Sequence, residues 1–162
     1  MKTTLTKKYC ITTHVMFYEI EMYKEYIAGL CNVLETIENK ENIYIDLCLN
    51  MQEYLELIDT TKISKHDIRS IFQKGISELH EVGISVDNIT AITVDNNQPM
   101  YFHTDSRRNA NYKYCNLVDY VIFGETDSFM PHEGLQAIET LAQYNDSQNI
   151  HRYIMSFADR KM

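Results

Sequence analysis

Short apolar runs rich in β-forming residues alternate along this chain with longer stretches whose apolar residues recur every three or four positions, and no other feature narrows the fold as much. Tyr9 to Phe17 reads as a first strand. Ile20, Tyr23, Ile27, Leu30, Leu34 and Ile37 then place one apolar stripe on a long helix. Asn39 to Asn42 breaks that pattern, and Ile43 to Leu49 has the composition of a strand buried on both faces, with Asp46 as its odd member. A short helical turn is expected around Glu53 to Ile58.

The alternation continues to the end of the chain. Ser64 followed by Asp67 resembles a capping box with Asp in place of Glu, and Ile68, Ile71, Phe72, Ile76, Leu79 and Val82 run at helical spacing up to Gly83. Ile89 to Val94 reads as a third strand and Asp95 to Pro99 as a turn leading to an extended piece at Met100 to His103. A third helix is expected over Arg107 to Cys115. Tyr120 to Phe123 is a compact fourth strand, followed by the polar group Gly124 to Ser128 and by Pro131, which suits the first turn of a helix carrying Leu135, Ile138, Leu141 and Ala142. Asn145 to Asn149 reads as a loop and Ile150 to Ala158 as a last strand.

Strands alternating with helices predict an α/β fold: a three-layer sandwich with a mostly parallel sheet, Rossmann-like in order. In such sheets ligands sit beyond the carboxyl ends of the strands. Those ends are Thr13 to Phe17, Leu49 to Gln52, Asp95 to Asn97, and Gly124 to Ser128.

With 162 residues, 44% of them hydrophobic, the chain has enough apolar material for one core, so residues 1–162 are expected to form a single domain. The 15 basic against 23 acidic residues leave a net charge of −8, which opposes broad contact with a nucleic-acid backbone or an anionic membrane. No signal-like stretch or membrane span is visible. Cys10, Cys31, Cys48 and Cys115 lie far apart without metal-ligand or redox spacing, as expected of reduced cysteines in a cytoplasmic protein.

The run from Tyr120 to Pro131, YVIFGETDSFMP, carries the most chemistry. A buried strand there delivers Glu125 and Asp127, two residues apart and so pointing the same way in an extended segment. Two convergent carboxylates repel unless a cation joins them, and a hard divalent ion so held also bridges diphosphate oxygens. Taken alone, the same pair fits a solvated loop in which Asp127 or Ser128 caps the next helix. Arg107 and Arg108 could neutralise a diphosphate, or pair with Asp105 on their own helix. His14 could meet a nucleobase, or be a satisfied half-buried histidine. His132 and Glu133 stand close enough to add a ligand, although a helix-starting His-Glu usually faces solvent.

The segment Arg107 to Asp127, RRNANYKYCNLVDYVIFGETD, resembles the middle of family 2-type glycosyltransferases with the GT-A fold. In that family an Arg-Asn pair opens a helix, a strand follows, and the strand ends in Asp-x-Asp before a proline-started helix. Arg108 and Asn109 match the pair; Glu125 and Asp127 occupy the acidic positions. The resemblance implies a donor-nucleotide half that binds a sugar nucleotide and passes its glycosyl group to an acceptor of unknown identity. It further implies that Glu125 and Asp127 hold Mn²⁺ or Mg²⁺ against the diphosphate, with Thr13, His14, Asn50, Arg108, Asn109 and Glu125 as nucleotide contacts.

Three departures qualify that match. Glu125 replaces the first aspartate. Asn50 and Gln52 stand where an aspartate commonly reads the base. The acceptor half with its catalytic base would lie beyond Met162, so the domain is expected to be truncated at its C-terminus. Two rival readings are a non-catalytic α/β interaction module and another metal-dependent nucleotide enzyme, such as a nucleotidyltransferase.

Overall fold

A computed structural model describes residues 2–54 and 63–150. The expected helical turn at Glu53 to Ile58 and the last strand at Ile150 to Ala158 fall mostly outside the described residues. Within them, four strands, β1 (Tyr9–Met16), β2 (Ile43–Asn50), β3 (Ile89–Val94) and β4 (Tyr120–Gly124), form one sheet in the order β3-β2-β1-β4, parallel throughout. Four helices join them: α1 (Ile20–Glu35), α2 (Lys65–Glu81), α3 (His103–Tyr114) and α4 (Gly134–Ser147). This is the expected α/β sandwich.

Handedness explains the layering. The chain moves from β1 through β2 to β3 in one direction, and right-handed crossovers place α1 and α2 on one face. The return from β3, past β2 and β1, to β4 runs the other way, so α3 lies on the opposite face. Alternation along β1 separates the two environments. Tyr9, Ile11 and Val15 join one large apolar cluster with Tyr23, Ile27 and Leu34 of α1, Ile68, Phe72 and Leu79 of α2, and Leu135 and Ile138 of α4. Cys10 faces the other way, into a small cluster with Ala110 and Tyr114 of α3.

Local signals set most boundaries. The Ser64 hydroxyl accepts the Asp67 amide (3.1 Å), so Ser64 caps the helix as expected, but the Asp67 carboxylate accepts the Ser64 hydroxyl (2.6 Å) in place of the Ser64 amide, and the box is half formed. Gly83, at φ +98°, ends α2 in a Schellman turn in which Gly83 N–H donates to the His80 carbonyl and Ile84 N–H to the Leu79 carbonyl. Two expectations shift. The third helix starts at His103, four residues before Arg107, because the Asp105 carboxylate accepts the Phe102 amide (2.9 Å) and caps a turn that no Ser or Thr announces. The fourth starts at Gly134, after a turn in which Pro131 accepts the Gly134 amide, and continues through Asn145 to Ser147.

Candidate functional site at the strand-order switch

In this sheet the strand order reverses between β1 and β4, and a crevice at the carboxyl ends of two such strands is where open α/β sheets place ligands. Thr13 is paired with Gly124 in the ladder, so β1 and β4 end side by side there. Immediately beyond Gly124 the chain makes a tight turn, closed by the Ser128 amide (3.1 Å) and hydroxyl (3.0 Å) donating to the Glu125 carbonyl. Thr126 is buried within the turn, while Asp127 is exposed and Glu125 half-exposed.

Glu125 stands on the α3 side of the sheet. Its carboxylate accepts a hydrogen bond from the Arg107 guanidinium at 2.8 Å, and Arg107 also lies over the Phe123 ring, 5.4 Å from its centroid. Arg108, one position on, turns away to pair with Asp105 on its own helix. Thus the guanidinium beside the acidic turn is that of Arg107, and Arg108 takes the local pairing. Asn109 lies farther along α3 and donates to the Tyr101 hydroxyl (2.9 Å), on the wall of a cleft of about 380 Å³ lined also by Ile92, Val94 and Pro99. The Arg108–Asn109 pair and the acidic turn therefore face different surroundings.

Two other predicted contacts are engaged inside the protein. The Thr13 hydroxyl, fully buried, lies 2.7 Å from the Tyr26 hydroxyl of α1. Burial pushes the Tyr26 phenol up to about 12. Asn50, also fully buried, donates to the Tyr101 carbonyl (2.8 Å) and accepts the Gln52 amide (2.9 Å). Gln52 completes the clasp by donating to the Pro99 carbonyl (2.9 Å) and accepting the Tyr101 amide (2.8 Å). These two amides tie the Asp95–Tyr101 segment to the end of β2.

His14 is different. It is 4% exposed, and neither ring nitrogen has a hydrogen-bond partner among the described residues. His103 stands edge-on to it, centroids 4.2 Å apart, with Tyr101 at 6.0 Å. Burial, followed by the nearby charges of His103 and Arg107, pulls its pKa down to about 4, so the ring is neutral near pH 7. In the sequence His103 is one of several histidines scattered without ligand spacing, and nothing there pairs it with His14; only the fold brings α3 across the end of β1.

A divalent ion needs more ligands than this turn supplies. Among the described residues no group of three or more His, Cys, Asp or Glu side chains is placed to hold a metal. The chain turns at Thr126 and Asp127, so the extended geometry expected to aim Glu125 and Asp127 the same way does not form; Glu125 is paired with Arg107 and Asp127 is exposed. A cation such as Mg²⁺ takes one or two carboxylates and completes its shell with water and phosphate oxygens. His132 and Glu133 lie in a separate turn before α4.

No protein-family model matches the chain, and no curated protein or solved structure matches it. Among the described residues no helix is long and apolar enough to cross a membrane.

Proposed function

We propose that this chain is the donor-nucleotide half of a metal-dependent glycosyltransferase, binding the diphosphate of a sugar nucleotide at the carboxyl ends of β1 and β4. The observation that carries the reading is the position of the acidic turn. Glu125 and Asp127 emerge where the strand order reverses, with Arg107 2.8 Å from Glu125. The resemblance of the Arg107–Asp127 segment to GT-A enzymes supplies the chemistry.

On this reading Glu125 and Asp127 hold Mn²⁺ or Mg²⁺, which supplies electrostatic stabilisation of the departing nucleotide diphosphate. Arg107 braces Glu125 in the free protein and would serve a diphosphate oxygen as a charge-assisted donor. Asn50 and Gln52 shape the neighbouring wall by fixing the Asp95–Tyr101 segment. The donor is a nucleoside diphosphate sugar and the acceptor is unassigned.

The test is calorimetry with a panel of nucleoside diphosphates, with and without Mn²⁺. Binding that vanishes in excess chelator is the expected result, since two anionic centres would otherwise repel across a partly desolvated site. Metal-independent binding would count against the proposal. Turnover of nucleoside triphosphates with pyrophosphate release would instead favour a nucleotidyltransferase, and no binding at all a non-catalytic module.

A further inference from the structure

The acidic turn has little regular structure of its own, yet two contacts tie its flanks to α1, one of them shared with Thr13 of β1. Gly124, the residue before Glu125, is packed so closely that a Cβ built on it would collide with the Tyr26 hydroxyl and stand 2.8 Å from Thr13 Oγ1. Those two hydroxyls are themselves hydrogen-bonded at 2.7 Å, in a buried setting. On the far side of the turn, the Phe129 ring lies against Gly29, where a Cβ would come within 3.0 Å of it. Tyr26 and Gly29 are three positions apart in α1 and so share one face.

We infer that Tyr26 and Gly29 are positioning residues: together they form a seat on α1 that fixes where β4 delivers Glu125 and Asp127. The Thr13–Tyr26 pair sets the height of Gly124 above the helix, and the bare backbone at Gly29 lets the Phe129 ring close down on the other side. Thr126, in the turn between Gly124 and Phe129, is 3% exposed. Neither Tyr26 nor Gly29 is a candidate ligand, because the Tyr26 hydroxyl is buried under Gly124 and Gly29 has no side chain. As a statement about diphosphate binding, this inference rests on the function proposed above; as a statement about the turn, it stands on packing alone.

The experiment pairs a structural with a binding readout on Tyr26→Phe, Gly29→Val and Thr13→Val. Backbone amide shifts report the turn, and Mn²⁺-dependent affinity for inorganic pyrophosphate, a base-free diphosphate, reports the site. In both α1 variants the amides of residues 124–129 should move while those of β2 and β3 stay in place. Pyrophosphate affinity should fall about threefold to tenfold, the scale of one hydrogen bond. Because Tyr26→Phe and Thr13→Val remove the same bond from its two ends, the double variant should be little worse than either single one.

The outcomes separate cleanly. Unmoved turn amides in both α1 variants overturn the inference whatever happens to binding. Moved amides with unchanged affinity overturn the positioning role. Moved amides in a protein whose wild type binds no Mn²⁺ and pyrophosphate would uphold the seat and sink the proposed function instead. A variant that fails to fold is replaced by Gly29→Ala, which asks Phe129 to give way by only a few tenths of an ångström.

Discussion

The two faces of the sheet are built on different principles. One carries nearly all the apolar packing: Phe72 of α2, Tyr23 and Leu34 of α1 and Leu135 of α4 close over Ile11, Val15 and Leu47. The other is covered among the described residues by α3, whose Ala110 packs on Cys10, and by the segment before it; Thr12, Asp46, His14 and Asn50 also lie there, all wholly or largely buried. Stability is concentrated on the first face, while the second accepts buried polar groups toward the carboxyl ends of the strands. A fold that places its core on one side can leave the opposite side free for chemistry.

The sharpest way to break this contrast is Phe72→Ala. Phe72 is fully buried, its ring lies 5.3 Å from that of Tyr23, and its carbonyl accepts the Tyr23 hydroxyl. Truncation should cost about 3–5 kcal/mol in urea unfolding, the usual range for a core Phe. A loss below ~1 kcal/mol would show that the large cluster does not dominate stability.

On the polar face the largest effect should come with acid. The His14 pKa, about 4 in the folded protein, lies below the ~6.5 of an unfolded histidine. Between these values the unfolded chain binds more protons, so stability is present above pH ~6.5 and is lost as pH falls toward 4, by an amount on the order of 3 kcal/mol. Facing the ring are His103 and Arg107, which oppose its protonation, and Asp105, which favours it. His14→Phe removes the titration and should flatten this part of the acid limb. Parallel acid limbs for the two proteins would mean that His14 is open to water when folded.

The contrast also explains what could be read in the sequence. All four strands were legible, because each is a short β-rich run bounded by polar or turn residues. The stripes of α1 and α2 were legible as well, since each has a broad apolar face to bury. Only Ser106, Ala110 and Tyr114 of α3 are buried, and a helix with so small an apolar face leaves a weak periodic signal, so its start reads at Arg107 in place of His103. Glu139 shows the reverse failure. It is 3% exposed within α4. Burial pushes its carboxyl up, but hydrogen bonds from Thr6, Tyr9 and Gln143 outweigh this and hold it below its usual value. Its partners lie more than a hundred residues away, apart from Gln143, so spacing gave no hint. At the strand-order switch the acidic turn is visible as Glu-Thr-Asp, whereas the engagement of Thr13 by Tyr26 and of Asn50 by Tyr101 depends on contacts between different elements.

A smaller effect is expected from Tyr114→Phe. The Tyr114 hydroxyl donates to Thr90 Oγ1 at 3.0 Å and thereby ties α3 to the edge strand β3. Its removal should lower stability by about 1 kcal/mol, the net value of one such bond. A loss comparable with Phe72→Ala would erase the distinction between the two faces.

The smallest effect on stability, and the most informative one on binding, should come from Asp127→Asn. Asp127 is exposed and has no ion-pair partner among the described residues, whereas Glu125 is held by Arg107. The turn that carries it is closed by Ser128 and the Glu125 carbonyl, not by the Asp127 carboxylate. Exchange for the isosteric amide should therefore change unfolding free energy by less than ~0.5 kcal/mol, as at an ordinary surface position. The amide keeps an oxygen but loses the charge that a hard cation requires, so Mn²⁺-dependent diphosphate binding should weaken about tenfold or more. The two measurements, made on one variant, distinguish the possible roles. Weaker binding with unchanged stability assigns the carboxylate to the ligand. A drop of more than ~1 kcal/mol in stability would assign it to the turn, as a cap for the chain entering α4. Unchanged binding and unchanged stability would leave Glu125 as the one acid with a role, and a single carboxylate already neutralised by Arg107 would be a poor anchor for a divalent ion.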